Sequence, residues 1–156
     1  IATASTEEKL ALARSLGADH TVNYTDPDWD RQVLEVTEGK GVDVILEMVG
    51  GEIFNKNLGI LATFGRMVVF GAASMQRGAL EPFRMMNKCQ SVVGFLLTPV
   101  VERPDLYRPS LQELLQLVKE GRLKLQIGGT FPLEQAAEVH RMLEGRQTTG
   151  KLVLIP

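Results

Sequence analysis

Residues 41–71 read GVDVILEMVGGEIFNKNLGILATFGRMVVFG. A short apolar run, Val42 to Met48, ends in the paired glycines Gly50 and Gly51. A helix-length segment, Glu52 to Thr63, follows, and a second apolar run, Arg66 to Phe70, ends in Gly71. The order is strand, turn, helix, strand, turn. Strands that are apolar almost throughout are those covered on both faces, as in parallel sheets. In open α/β sheets ligands bind outside the carboxyl ends of the strands. Gly50, Gly51 and Gly71 are therefore predicted to line a cofactor crevice.

The same alternation continues in both directions. Upstream, Ile1 to Ala4 reads as the end of a strand, and Ser5 with Glu8 has the spacing of a capping box that opens a helix. Leu10, Ala13 and Leu16 form a partial apolar stripe, and Gly17 is placed to stop the helix. His20 to Tyr24 reads as a strand, Asp26-Pro27-Asp28 as a capping turn, and Trp29 to Glu38 as a helix. Downstream, Gly71 to Gly78 is a small-residue loop, Glu81 to Lys88 a short helix and Gln90 to Leu97 a strand. Thr98 to Pro109 carries three prolines and is predicted as a loop. Ser110 is placed to cap an amphipathic helix with Leu111, Leu114, Leu115 and Val118 on one side. Leu123 to Ile127 alternates like a strand, Thr130 to Leu133 is extended, and a helix begins at Leu133 or Glu134. Gly145 to Gly150 is a polar turn before a last strand, Lys151 to Ile155. Strands alternating with helices predict an α/β fold with a doubly wound, mostly parallel sheet.

Composition narrows the function classes. The chain has 156 residues, 44% hydrophobic and 23% charged, which suffices for a domain with a real core. A net charge of -2 gives no electrostatic footprint for nucleic acid. No apolar run reaches the roughly 20 residues of a membrane span. The single cysteine, Cys89, allows no disulfide within the chain and fits a reducing compartment. With no basic or apolar leader at the start, a cytoplasmic location is expected. One cysteine and two histidines, His20 and His140, form no set with zinc-ligand spacing, so no metal site is expected. Cys89 reads as an inert thiol. No Ser/His/Asp set, G-x-S-x-G or carboxylate pair is found, so no catalytic acid, base or nucleophile is assigned.

The phosphate-binding signature G-x-G-x-x-G of dinucleotide folds is absent. The order of elements puts it, with the first strand, upstream of Ile1. Where NAD-preferring proteins place an acid on the ribose 2′-hydroxyl, this chain has Ser5, then Thr6, with Lys9 one turn on. A hydroxyl and a lysine suit a 2′-phosphate, which favours NADPH over NADH; taken alone, Ser5 reads first as a helix cap and Lys9 as a solvated helix residue, and the phosphate role gains weight only from its context. Tyr24 reads either as a stacking partner for adenine or as a half-buried amphipathic side chain. Glu47, near the end of an apolar strand, needs either a partner or water. Arg66 and Lys9 are the expected partners, in a structural role.

Five short motifs, A-T-A-S-T-E-E-K-L (Ala2 to Leu10), L-G-A-D-H-T-V-N-Y (Leu16 to Tyr24), G-V-D-V-I-L-E-M-V-G-G, G-R-M-V-V-F-G and T-G-K-L-V-L (Thr149 to Leu154), occur in this order. In order and spacing they resemble the medium-chain dehydrogenase/reductase superfamily, in particular its zinc-free NADPH:quinone oxidoreductases, the zeta-crystallin-like branch. The resemblance implies a protein about twice this length, whose GroES-like catalytic domain, first strand and glycine-rich loop precede Ile1. It implies a Rossmann-type sheet, incomplete at its N-terminal end. Residues 1–127 then form the partial NADPH-binding domain. Residues 128–156 form a helix and strand that return toward the catalytic domain, and the chain alone is expected to be inactive.

The same resemblance carries cofactor contacts to this chain. Ser5 and Lys9 match positions at the adenosine ribose and its 2′-phosphate, and Tyr24 a position beside the adenosine phosphate. Met48 and Gly50 match the strand-end crevice, with Met48 where some relatives have a small polar residue. Phe70, Gly71 and Ala72 match the loop passing the nicotinamide ribose. Phe95, Leu96 and Leu97 match a strand end by the nicotinamide, and Lys151 follows the T-G-K near the cleft. The resemblance further implies a homodimer through the edge strand Gln90 to Leu97, and hydride transfer to a quinone or enone. A zinc-dependent alcohol dehydrogenase, a polyketide enoyl reductase module of the same superfamily, and a non-enzymatic nucleotide-binding protein are the alternatives.

Overall fold

A computed structural model describes residues 1–146 and 148–156. They form two compact units, Ile1–Leu96 and Leu97–Pro156. This partition by packing differs from the functional one expected between residues 127 and 128.

The first unit runs β1 (Ala2–Ala4), α1 (Glu7–Ser15), β2 (Thr21–Asn23), α2 (Trp29–Val36), β3 (Val42–Glu47), α3 (Gly51–Ile60), β4 (Leu61–Val69), α4 (Pro82–Met86) and β5 (Ser91–Gly94). β1 pairs with β2, and β3, β4 and β5 form a second sheet in that order; every ladder is parallel. The predicted α/β alternation with parallel pairing is therefore observed. α1 stops as expected: the Gly17 N–H returns to Arg14 and the Ala18 N–H to Ala13, both at 3.0 Å, which satisfies two orphan carbonyls.

The cap of α1 is a correction. Thr6, not Ser5, is the N-cap, and its hydroxyl accepts from the Lys9 N–H at 3.4 Å. Both residues carry a hydroxyl, so spacing alone could not separate them. β4 is also longer than predicted and begins where α3 ends, at Leu61. Leu61 pairs with Val42, the register then shifts, and Val44 pairs with Arg66. The buried run Ile60-Leu61-Ala62 suits either a helix end or a strand, and periodicity does not arbitrate so short a stretch.

The core of this unit lies where α2 and α3 meet the strands. Val22, Trp29, Val33 and Ile60 make one buried cluster, and Phe54, Leu58, Leu61 and Met67 another; Ile45 packs against both. Lys56 of α3 ties the helices together, donating to Asp30 at 2.8 Å and lying 5.9 Å from the centre of the Trp29 ring. Burial pushes the Asp30 carboxyl up, but the Lys56 ammonium and the backbone N–H groups of Asp30 and Arg31 together outweigh it and hold Asp30 below the usual carboxylate range. The two-faced cover expected for β3 is not observed. Ile45 and Glu47 face the core, whereas Val44 is 58% and Leu46 71% exposed.

The second unit runs α5 (Leu97–Val101), α6 (Pro104–Lys119), β6 (Ile127–Pro132), a 3-10 turn at Leu133–Gln135, α7 (Ala136–Glu144) and β7 (Lys151–Ile155). The loop predicted over Thr98 to Pro109 is instead helical. Pro104 stands in the first turn of α6, where its missing N–H costs nothing. Pro109 lies inside the helix, and Ser110 is no cap: its hydroxyl donates to the Leu106 carbonyl at 2.9 Å. The strand predicted at Leu123 to Ile127 is displaced to Ile127–Pro132, because that is where β7 offers a parallel partner. The polar turn predicted over Gly145 to Gly150 includes Gln147, which lies outside the described residues.

Candidate functional site

The chemistry-bearing residues gather at the carboxyl ends of the parallel strands. Glu47 pairs with Val69, and Val69 with Gly94, so the next residues, Met48, Phe70 and Phe95, leave three adjacent strands side by side. The Phe70 N–H donates to the Glu47 carbonyl at 2.9 Å and the Phe95 N–H to the Val69 carbonyl at 2.8 Å, extending the ladder by one step. All three side chains are about half-exposed, an apolar shelf at the end of a sheet. Leu96 follows, also exposed.

Two loops rise from this shelf and are stitched to each other. The Ala73 N–H donates to the Met48 carbonyl and the Ser74 N–H to the Val49 carbonyl, both at 2.8 Å, and the Gly51 N–H donates to the Gln76 carbonyl at 3.1 Å. Gly71 packs directly on Met48: a Cβ there would lie 3.0 Å from the Met48 carbonyl oxygen. That carbonyl is already bonded to Ala73, so it has little freedom to give way. Gly50, at φ 84°, is the N-cap of α3, and a Cβ there would meet the Gln76 carbonyl at 2.7 Å. Met48, Gly50, Phe70, Gly71 and Ala72 are thus brought together, with Phe95 beside them.

Ser5 and Tyr24 form a second group. Ala4 pairs with Asn23, and the Tyr24 N–H donates to the Ala4 carbonyl at 3.1 Å, so Ser5 and Tyr24 emerge together at the ends of β1 and β2. Lys9 is in the first turn of α1, next to them in sequence. All three are partly buried, and Tyr24 packs against the core cluster of Val22 and Trp29. The half-buried amphipathic reading of Tyr24 is observed, and it leaves part of the side chain at the surface. Leu97 and Lys151 belong to the second unit, where Leu97 opens α5 and Lys151 opens β7. The Lys151 N–H donates to the Gln126 carbonyl at 2.7 Å.

Glu47 does not have the partners expected for it. Its side chain is 1% exposed. One carboxylate oxygen accepts from the Val49 N–H at 2.6 Å and the Gly50 N–H at 2.7 Å; the other accepts from the amide of buried Asn57 on α3. Asn57 was not singled out from the sequence. The available signal was a polar residue at the inward helical spacing Phe54, Asn57, Leu58, one element after a buried acid.

Comparison with known proteins bears on the family and the fold. The family model for zinc-binding dehydrogenases matches residues 16–154. A 2-haloacrylate reductase from a Burkholderia species is 39% identical over 100% of this chain, which covers 47% of that protein. A solved NAD-dependent alcohol dehydrogenase is 38% identical with a TM-score of 0.88, over 99% of this chain and 43% of its own. The Escherichia coli quinone oxidoreductase complexed with NADPH is 29% identical with a TM-score of 0.89, over 99% of this chain and 48% of its own. The chain spans about half the length of the curated relatives it matches. The family's description implies zinc. Among the described residues no group of three or more His, Cys, Asp or Glu side chains could hold a metal ion, so the residues present do not fit a zinc centre. Matched from Leu16 to Leu154, the chain belongs to the zinc-binding dehydrogenase family of the medium-chain dehydrogenase/reductase superfamily.

Proposed function

We propose that this chain is the cofactor-binding part of an NADPH-dependent oxidoreductase that passes hydride to a quinone or enone. The observation that carries the reading is the row Met48, Phe70 and Phe95 at three adjacent strand ends, with Gly71 packed against Met48. When bound, the nicotinamide supplies the hydride. The half-exposed apolar side chains offer it a dry face, and Gly71 and Ala72 let the backbone pass close to its ribose. Ser5, Lys9 and Tyr24 take the adenosine ribose, its 2′-phosphate and the neighbouring phosphate. An electron-poor acceptor takes hydride without a dedicated acid on this chain, and none is assigned.

In this reading residues 1–127 serve the cofactor and residues 128–156 lead toward a catalytic domain outside the chain. The single cysteine, Cys89, fits a reducing, cytoplasmic location. β5 is the edge of its sheet, with Val93 exposed, and it is shorter than the predicted Gln90–Leu97: its ladder ends at Gly94, and Leu97 opens a helix. Exposed strand edges are ready-made pairing surfaces, so the protein is a homodimer through β5. Sedimentation velocity on the full-length protein gives a dimer, and a monomer at micromolar concentration removes that part of the reading.

The deciding experiment is nicotinamide oxidation by the full-length protein with p-benzoquinone and with an acrylate-type enone. NADPH is consumed with one of these acceptors, and NADH about tenfold less efficiently, as expected for a site built around a charged 2′-phosphate. The likeness to the NAD-dependent alcohol dehydrogenase supports a second reading. Oxidation of a primary alcohol with NAD, without quinone or enone reduction, establishes it in place of the first.

A further inference from the structure

Glu47 is a fully buried carboxylate with no place in the function as proposed. The geometry assigns it a role: we infer that Glu47, with Asn57, is a positioning residue that sets the nicotinamide side of the crevice. The inference rests on the NADPH reading above.

The chain of contacts is continuous. α3 holds Asn57, and the Asn57 amide holds one oxygen of the Glu47 carboxylate. The other oxygen takes the N–H groups of Val49 and Gly50 at 2.6 and 2.7 Å, turning both peptide units of the β3–α3 turn. The carbonyls of that same turn face the next loop, where Met48 and Val49 accept from Ala73 and Ser74. Met48 is also the residue Gly71 packs against at 3.0 Å. Rotation of the turn therefore moves the Gly71–Ser74 loop. The Val49 and Gly50 N–H groups lie in a part-buried turn, where a donor that loses its acceptor is costly unless water replaces it, so the turn loses the contact that holds this conformation once the carboxylate oxygen is gone. A salt bridge from the surface would not do this, because a lysine or arginine cannot accept from two peptide N–H groups. That chemistry explains why an acid stands at the end of an otherwise apolar strand.

The test uses Glu47→Leu, Glu47→Gln and Asn57→Ser in the full-length protein. The dissociation constants of NADPH and of adenosine 2′,5′-bisphosphate, which lacks the nicotinamide half, are measured beside thermal unfolding. Glu47→Leu weakens NADPH by about tenfold, the expected effect of two part-buried donors left without their acceptor, and leaves the bisphosphate unchanged. Glu47→Gln keeps an oxygen for both N–H groups, its amide can meet a flipped Asn57, and it retains NADPH affinity within about threefold. Unchanged NADPH affinity in folded Glu47→Leu overturns the inference. So does equal weakening of both nucleotides, which marks a merely structural role, and so does failure of Glu47→Gln to restore binding.

If Glu47→Leu does not fold, Asn57→Ser decides by the same two affinities. The role stands if NADPH alone weakens and falls if neither changes or both weaken. If the wild-type protein binds neither nucleotide, the NADPH reading has failed. Hydrogen exchange then tests the positioning claim alone. Faster exchange at Val49, Gly50, Ala73 and Ser74 in Asn57→Ser supports it, and unchanged exchange overturns it.

Discussion

The turn after β3 and the turn after β1 are built on the same plan, a parallel strand feeding a helix, yet they are fastened in different ways. After β3, a carboxylate that is 1% exposed takes two backbone N–H groups, and a glycine from the neighbouring loop packs at van der Waals contact. After β1, a threonine hydroxyl accepts one N–H at 3.4 Å on the exposed side of the chain, and Ser5 and Lys9 remain partly accessible. The first turn is specified by a buried carboxylate and a close glycine contact, which leave little room for a second arrangement. The second is specified by solvent-facing side chains that can adjust. A binding site that combines them has one end intolerant of change and one end that is tunable, which is where a choice between related nucleotides can be made.

The comparison breaks most sharply at Gly71. In Gly71→Val the new Cβ starts 3.0 Å from a carbonyl that cannot retreat, and two methyl groups are added beyond it. Over-packing of this kind costs about 1–3 kcal/mol, so NADPH affinity falls by about fivefold to a hundredfold. Isothermal calorimetry on the full-length protein checks it; unaltered affinity removes Gly71 from the crevice. At the adjustable end the effect is smaller and selective. Lys9→Ala raises the KM for NADPH about fivefold, the worth of one partly exposed charge-assisted contact, and leaves the KM for NADH unchanged. Ser5→Ala shifts the same ratio less, by about twofold, as befits a single hydroxyl donor at a wet site. Equal changes for both nucleotides would take the 2′-phosphate away from this turn.

Much of the element order was legible because glycines punctuate it. Gly17, Gly50 and Gly71 each end the segment they were expected to end, and Lys151–Ile155 is a strand with the predicted bounds. The misreadings share a cause. The Thr98–Pro109 segment looked like a loop because it holds three prolines, but a proline in a first turn loses no hydrogen bond. Leu123 to Ile127 alternates like a strand, yet pairing begins at Ile127, where Lys151 arrives. The expected partners of Glu47 were cations, because a lone acid in a sequence asks for a charge. Its observed partners are two peptide N–H groups and an amide, none of which a charge pattern displays.

Taken by itself, the sequence determined the alternation of strands and helices, their parallel pairing and the glycine-marked ends at which candidate site residues collect. Only the tertiary structure decided which apolar faces are covered. α3 buries five of its residues, whereas α6, with a regular leucine stripe, buries none of its sixteen. β3 hides Ile45 and Glu47 on one face and leaves Val44 and Leu46 open on the other. Periodicity is a property of a local stretch of chain, set by how many residues make a turn or a pleat. Burial depends on a second surface brought from elsewhere, and a carboxylate such as Glu47 acquires its role only when that surface supplies the donors.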